Sequence, residues 1–93
     1  MPQLEVADVS VVNQPMPDDI SFDIEIVIEN TSLALPYQDV EVCVDYGPHE
    51  CFEFFTIDTI DLNSTETVQR TLPTDVEGVS GEVEICVRIR DAY

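Results

Sequence analysis

The sequence predicts an all-β, antiparallel sandwich of about six to seven strands, in a single domain spanning residues 1–93. Three observations carry this. The apolar residues recur with period two, not 3.6. Turn chemistry separates the periodic stretches at short intervals. No stretch of useful length has a helical pattern.

LEVADVSVV (4–12) is the first strand. Its apolar phase slips between Val6 and Val9, which predicts a bulge or a switch between sheets. QPMPDD (14–19) is a turn. SFDIEIVIEN (21–30) alternates cleanly, with Phe22, Ile24, Ile26 and Ile28 on one face. NTSLALPYQ (30–38) is a loop. In DVEVCVDY (39–46), Val40, Val42, Val44 and Tyr46 face a core, while Cys43 falls on the polar face. Gly47-Pro48 makes a hairpin into the aromatic strand CFEFFTI (51–57). DLNS (61–64) turns into STETVQRTL (64–72), a short or peripheral strand held by Val68 and Leu72. PTDVEGVSG (73–81) leads to GEVEICVRIRD (81–91), where Glu82, Glu84, Cys86, Arg88 and Arg90 share the outer face. VEVCV (40–44) and VEICV (83–87) are near copies, as expected of two strands meeting the same demands in one sheet.

The charge is extreme. The formal net charge is −17, with 20 Asp and Glu against three arginines and no lysine. Such a chain repels itself at low ionic strength. The composition resembles that of proteins from extreme halophiles. It excludes binding to a phosphate backbone or an anionic membrane, because there is almost no cationic surface. No apolar run approaches the roughly 18 residues of a membrane span. No basic segment precedes an apolar stretch at the N-terminus, so no signal peptide is read in this chain.

The order of these strands, with ENTS closing the second and GEVEICVRI in the last, resembles the CARDB family of immunoglobulin-like modules, named for cell-adhesion-related domains of bacteria. The resemblance covers roughly residues 4 to 91 through degenerate motifs. It implies a non-catalytic, immunoglobulin-like sandwich used for adhesion, spacing or assembly. Members continue into one more strand that closes the sheet, whereas this chain stops at Arg90-Asp91-Ala92-Tyr93. The last strand is therefore expected at an open edge, able to recruit a strand from another chain.

The three cysteines leave several states open. Cys43 and Cys51 are equidistant from Gly47, and Cys86 is expected on the strand beside Cys43, giving a row of thiols. A Cys43–Cys51 bridge closes a short loop and a Cys43–Cys86 bridge a long one. A zinc site with His49 has suitable ligand types. However, ligands spread over about 10 Å of flat sheet do not converge on a tetrahedron. Free thiols on a half-covered surface are the favoured state, ahead of a disulfide. No catalytic, metal or cofactor site is assigned. His49 sits in a turn without a triad around it. The acidic pairs Asp18-Asp19, Asp58 with Asp61, and Asp39 with Glu41 lack EF-hand spacing. Arg88 and Arg90 are expected to pair with Asp39, Glu41 or Asp45. Asn30 and Asn63 head glycosylation sequons in expected turns.

These readings converge on a non-enzymatic structural or assembly module working in high salt. Its expected partners are further protein subunits, the same or different, joined by strand pairing at the last strand. Read as a complete small protein with a native Met1 and no export signal, the chain is expected to be a virion component, such as a capsid decoration, turret or tail protein of a virus infecting a halophile. The alternatives are an adhesive spacer of a larger cell-surface protein, or a carboxylate-based module that binds calcium or a cationic partner.

Overall fold

The computed structural model describes residues 4–12, 20–79 and 84–91. They form six strands and no helix: β1 (Leu4–Val11), β2 (Ser21–Asn30), β3 (Tyr37–Tyr46), β4 (His49–Ile60), β5 (Ser64–Pro73) and β6 (Ile85–Asp91). Two antiparallel three-stranded sheets result, ordered β1-β2-β5 and β4-β3-β6. The two sheets make a small antiparallel β-sandwich, with the third, fourth and sixth strands forming the second sheet. The expected turn at 14–19 and the start of the last strand at 81–83 lie outside the described residues.

Each central strand buries its apolar phase against the other sheet. Ile24, Ile26 and Ile28 of β2 meet Val40, Val42, Val44 and Tyr46 of β3, all essentially inaccessible to water. Leu4, Phe55, Ile60 and Leu72 complete the core. Each fully buried aliphatic side chain contributes roughly 1.5–3 kcal/mol relative to exposure. Two central strands thus carry most of the cohesion. The phase slip in the first strand is a register shift between Val6 and Asp8 against β2.

Polar clamps close the two ends. Asn30, at the end of β2, is fully buried. Its amide nitrogen donates to the carbonyls of Ile60 at 3.1 Å, Asp61 at 3.1 Å and Leu35 at 3.3 Å. Its Oδ1 accepts from the Ser32 amide at 2.9 Å. One side chain thereby ties the end of β4 and the β2–β3 loop to β2. Asn30 is consequently no exposed turn acceptor for a sugar, unlike the exposed Asn63. At the other end, the Tyr46 hydroxyl crosses between sheets to donate to the Pro73 carbonyl at 2.8 Å. Its ring meets Phe22 and Phe52 edge-on. The Val76–Val79 turn after β5 packs on the β3–β4 hairpin. Gly78, with φ of 82°, sits so close to Pro48 that an added Cβ would lie 3.0 Å from the proline ring.

Asn30→Ala leaves buried carbonyls and an amide without partners, each worth roughly 1–3 kcal/mol. Urea unfolding should show a loss of about 2–4 kcal/mol, and a larger loss for Asn30→Asp, whose second oxygen would face carbonyls. An unchanged midpoint for both variants would show that the Asn30 clamp does not stabilise the fold.

Candidate functional site

The residues singled out in the sequence gather on the outer face and free edge of the β4-β3-β6 sheet. The β3–β4 hairpin begins with Gly47, at φ 59°, followed by Pro48. Positive φ at the first central position matches a type II′ turn. Beyond the turn, Tyr46 opposes His49 and Val44 opposes Glu53, so Asp45 alone faces Glu50, Cys51 and Phe52. Cys51 sits in this bulge at φ 51°.

The bulge corrects the thiol expectation. Cys43 pairs in register with Phe54, yet the displaced Cys51 swings back to it. The two form a disulfide with a Cα–Cα separation of 4.7 Å. Cys43, although on the outer face, is 1% exposed. Cys86 is a free, exposed thiol. It opposes Asp45, while Cys43 opposes Arg88, so Cys86 lies diagonal to Cys43. The row of three thiols therefore does not exist. The β3–β6 register sets Cys86 two residues off Cys43, and a two-residue surplus on β4, invisible in the spacing about Gly47, shifts Cys51.

Asp45 organises this face. Its Oδ1 accepts the Cys51 amide at 2.7 Å, and its Oδ2 accepts Arg88 Nε at 3.0 Å. The Cys51 amide first, and the Arg88 guanidinium second, hold its carboxyl below the usual value. Arg88 thus takes one of the three carboxylates expected for the two arginines, Asp45. Arg90 instead lies over the Phe54 ring, 5.9 Å from its centroid. The Cys86 thiol donates to a Glu84 carboxylate oxygen at 3.1 Å. That bond, reinforced by partial desolvation and by the charges of Glu84 and Asp45, pushes its pKa up. The thiol is therefore held in its less reactive form. Glu82 lies outside the described residues.

The edge itself is open. β6 pairs with β3 on one side, and among the described residues nothing pairs with the other. Ile85, Val87 and Ile89 are only partly covered. His49 packs beside Phe52, and its Nε2 contacts the Glu77 carbonyl. No group of three or more His, Cys, Asp or Glu side chains converges among the described residues.

Two features escaped the sequence reading. Arg70 shares the inward phase of Val68 and Leu72, and it stacks on Phe55 of the opposite sheet, 4.5 Å from the ring centroid. Its place between Val68 and Leu72 in the alternation was the available signal. Leu33 and Leu35 of the β2–β3 loop are 77% and 69% exposed. Exposed Leu62 lies in the neighbouring turn, which is linked by the Asn63 amide donating to Ser32. Leucines inside a turn-rich segment were the signal there.

The chain matches no family model, and no curated protein or solved structure is significantly similar to it.

Two outcomes follow. Replacing both Cys43 and Cys51 by alanine reopens an eight-residue separation. By chain entropy this costs about 2.5 kcal/mol, or roughly 10–20 °C in Tm by calorimetry, and equal melting would deny the bridge a stabilising role. Asp45→Asn should cost about 0.5–1 kcal/mol at neutral pH in urea titrations, a small figure because Arg88 is half exposed. A lowered folded pKa gives stability that is present above the unfolded value of 3.8 and lost as pH falls through the folded one. The gap between wild type and variant should therefore close below about pH 3.8. A gap independent of pH would exclude the ionised carboxylate as its source.

Proposed function

We propose that this chain is a non-catalytic structural module that joins protein subunits in concentrated salt, in a many-copy assembly such as the decoration, turret or tail of a virion. The supporting observation is the placement of charge. Two of the three cations, Arg88 and Arg90, stand on the outer face of β6, one of the two edge strands that bound that face. A strand edge offers unpaired amides and carbonyls to an added strand. Everywhere else the surface is dominated by carboxylates, which discourages indiscriminate association.

The salt requirement follows from spacing. The accessible surface of 6088 Å² shared by 20 acidic side chains gives about 300 Å² each, or a mean spacing of about 17 Å. The Debye length is about 30 Å at 10 mM salt and about 3 Å at 1 M. Repulsion therefore acts between neighbours in dilute buffer and vanishes in molar salt. The resemblance to CARDB modules belongs to the same proposal, since such modules serve adhesion, spacing and assembly.

Light scattering after size exclusion is the direct test. The expected result is a defined oligomer in molar potassium chloride. At about 10 mM salt it is lost, together with the β signal in circular dichroism. A folded monomer in both buffers would count against both salt adaptation and assembly.

A further inference from the structure

Resting on the assembly reading above, we propose that the strand recruited by β6 is the β6 of a second copy of this chain, paired antiparallel about a twofold axis at Cys86. The outer face of this segment reads Glu84, Cys86, Arg88, Arg90 in order. The sequence continues the pattern backwards with Glu82, outside the described residues. The charges are thus antisymmetric about Cys86, with acids before it and bases after it. Two such strands laid antiparallel about that point place Glu84 opposite the partner's Arg88, twice, and Ile85 opposite Val87. Parallel pairing sets like charges side by side. Antiparallel pairing centred on Val87 puts Arg88 against an uncharged thiol, and centring on Arg88 opposes two guanidiniums. The register centred on Cys86 sets no described charge against a like one and gives Arg88 an acidic partner, whereas the register centred on Val87 opposes Glu84 to Arg90 and leaves Arg88 without one; the disulfide mapping below separates the two.

The backbone agrees. Gly47 donates its amide to the Glu84 carbonyl at 3.0 Å, so residue 84 directs its backbone groups toward β3. Within an antiparallel pair this alternates, so Cys86 and Arg88 also bond toward β3, while Ile85 and Val87 direct theirs to the free edge. Across that edge, Ile85 and the partner's Val87 would exchange hydrogen bonds. The two Cys86 residues would form a non-hydrogen-bonded pair, with Cα atoms about 4.5 Å apart. The half-covered Ile85 and Val87 would gain neighbours on the inner face. The product is one continuous sheet, β4-β3-β6 joined to its twofold mate. Arg88 keeps its Asp45 contact through Nε, leaving the terminal nitrogens of its guanidinium for the partner's Glu84.

The test uses the full chain in molar salt. Diamide, which takes up the two hydrogens as a pair of thiols becomes a disulfide, should convert it to a covalent dimer. Peptide mapping should locate that link at Cys86–Cys86, and Cys86→Ser should abolish the link while light scattering still shows the dimer. Val87→Pro removes an amide directed at the free edge rather than at β3, so it should abolish the dimer with the circular dichroism of the fold retained. Arg88→Glu should weaken the dimer roughly tenfold or more, and adding Glu84→Arg should restore it. A dimer that persists in Val87→Pro, or that yields no Cys86–Cys86 link, overturns this register and leaves assembly through another surface standing. A monomer in every condition overturns the self-pairing and the assembly reading together.

Discussion

With 20 acidic side chains and three arginines, the folded chain gathers like charges over nearly its whole surface, and each guanidinium has a structural assignment. Arg70 lies against Phe55 at the margin of the core, joining the two sheets through a ring face. Its Nε is buried with no hydrogen-bond partner among the described residues, so the contact is held by stacking. Arg88 ties β6 to β3 through Asp45. Arg90 reaches across β3 to the Phe54 ring of β4. None of the three is a loose surface charge, and a uniform acidic field makes each contact more selective than its modest energy implies.

Asp45 links this economy of cations to the covalent chemistry of the hairpin. Its two oxygens hold the Cys51 amide and Arg88, so the bulge that permits the disulfide and the strand at the open edge share one anchor. The carboxylate works as an internal counter-ion for β6 and, at the same time, as the acceptor that stabilises a left-handed residue in the bulge. Without that acceptor the Cys51 amide, turned out of the ladder, would have to find water. The disulfide then covers Cys43 on what would otherwise be an exposed face, and the outer layer of this sheet is firmer than its polar sequence implies.

The period-two runs made the strands, their inner faces and the two-sheet architecture legible. Ile24, Ile26 and Ile28 against Val40, Val42 and Val44 needed only alternation, and the slip at Val6–Val9 announced the β1 bulge. What failed was register. Symmetry about Gly47 points to facing cysteines, and the bond does form, but through a bulge that sets Cys43 opposite Phe54, while the separate β3–β6 register places Cys86 opposite Asp45. Bulges depend on local hydrogen bonding, here the Asp45 carboxylate, and leave no periodic trace. Asn30 has a residue type common in turns, and its sequence surroundings point to one. Its burial follows from three chain segments meeting at one end of the sandwich, which is a tertiary fact.

A twofold contact along β6 has a consequence for assembly size. An isologous interface consumes the same patch on both subunits and closes on itself, so it yields a pair and no more. Growth into an array of many copies must use a surface other than β6. The edges of β1 and β4 carry carboxylates and no arginine, so each repels its own copy, and the single arginine of β5, Arg70, is engaged inward on Phe55. The other chemically distinct region among the described residues is the apolar end bearing Leu33, Leu35 and Leu62. It is joined to the core through Ser32, Asn63 and the Asn30 clamp. A contact there gains from apolar burial, which persists in molar salt, whereas the Glu–Arg pairs at β6 are screened. The two surfaces would thus answer to salt in different ways: a β6 contact would set register and orientation, and an apolar contact would supply cohesion where charge is screened.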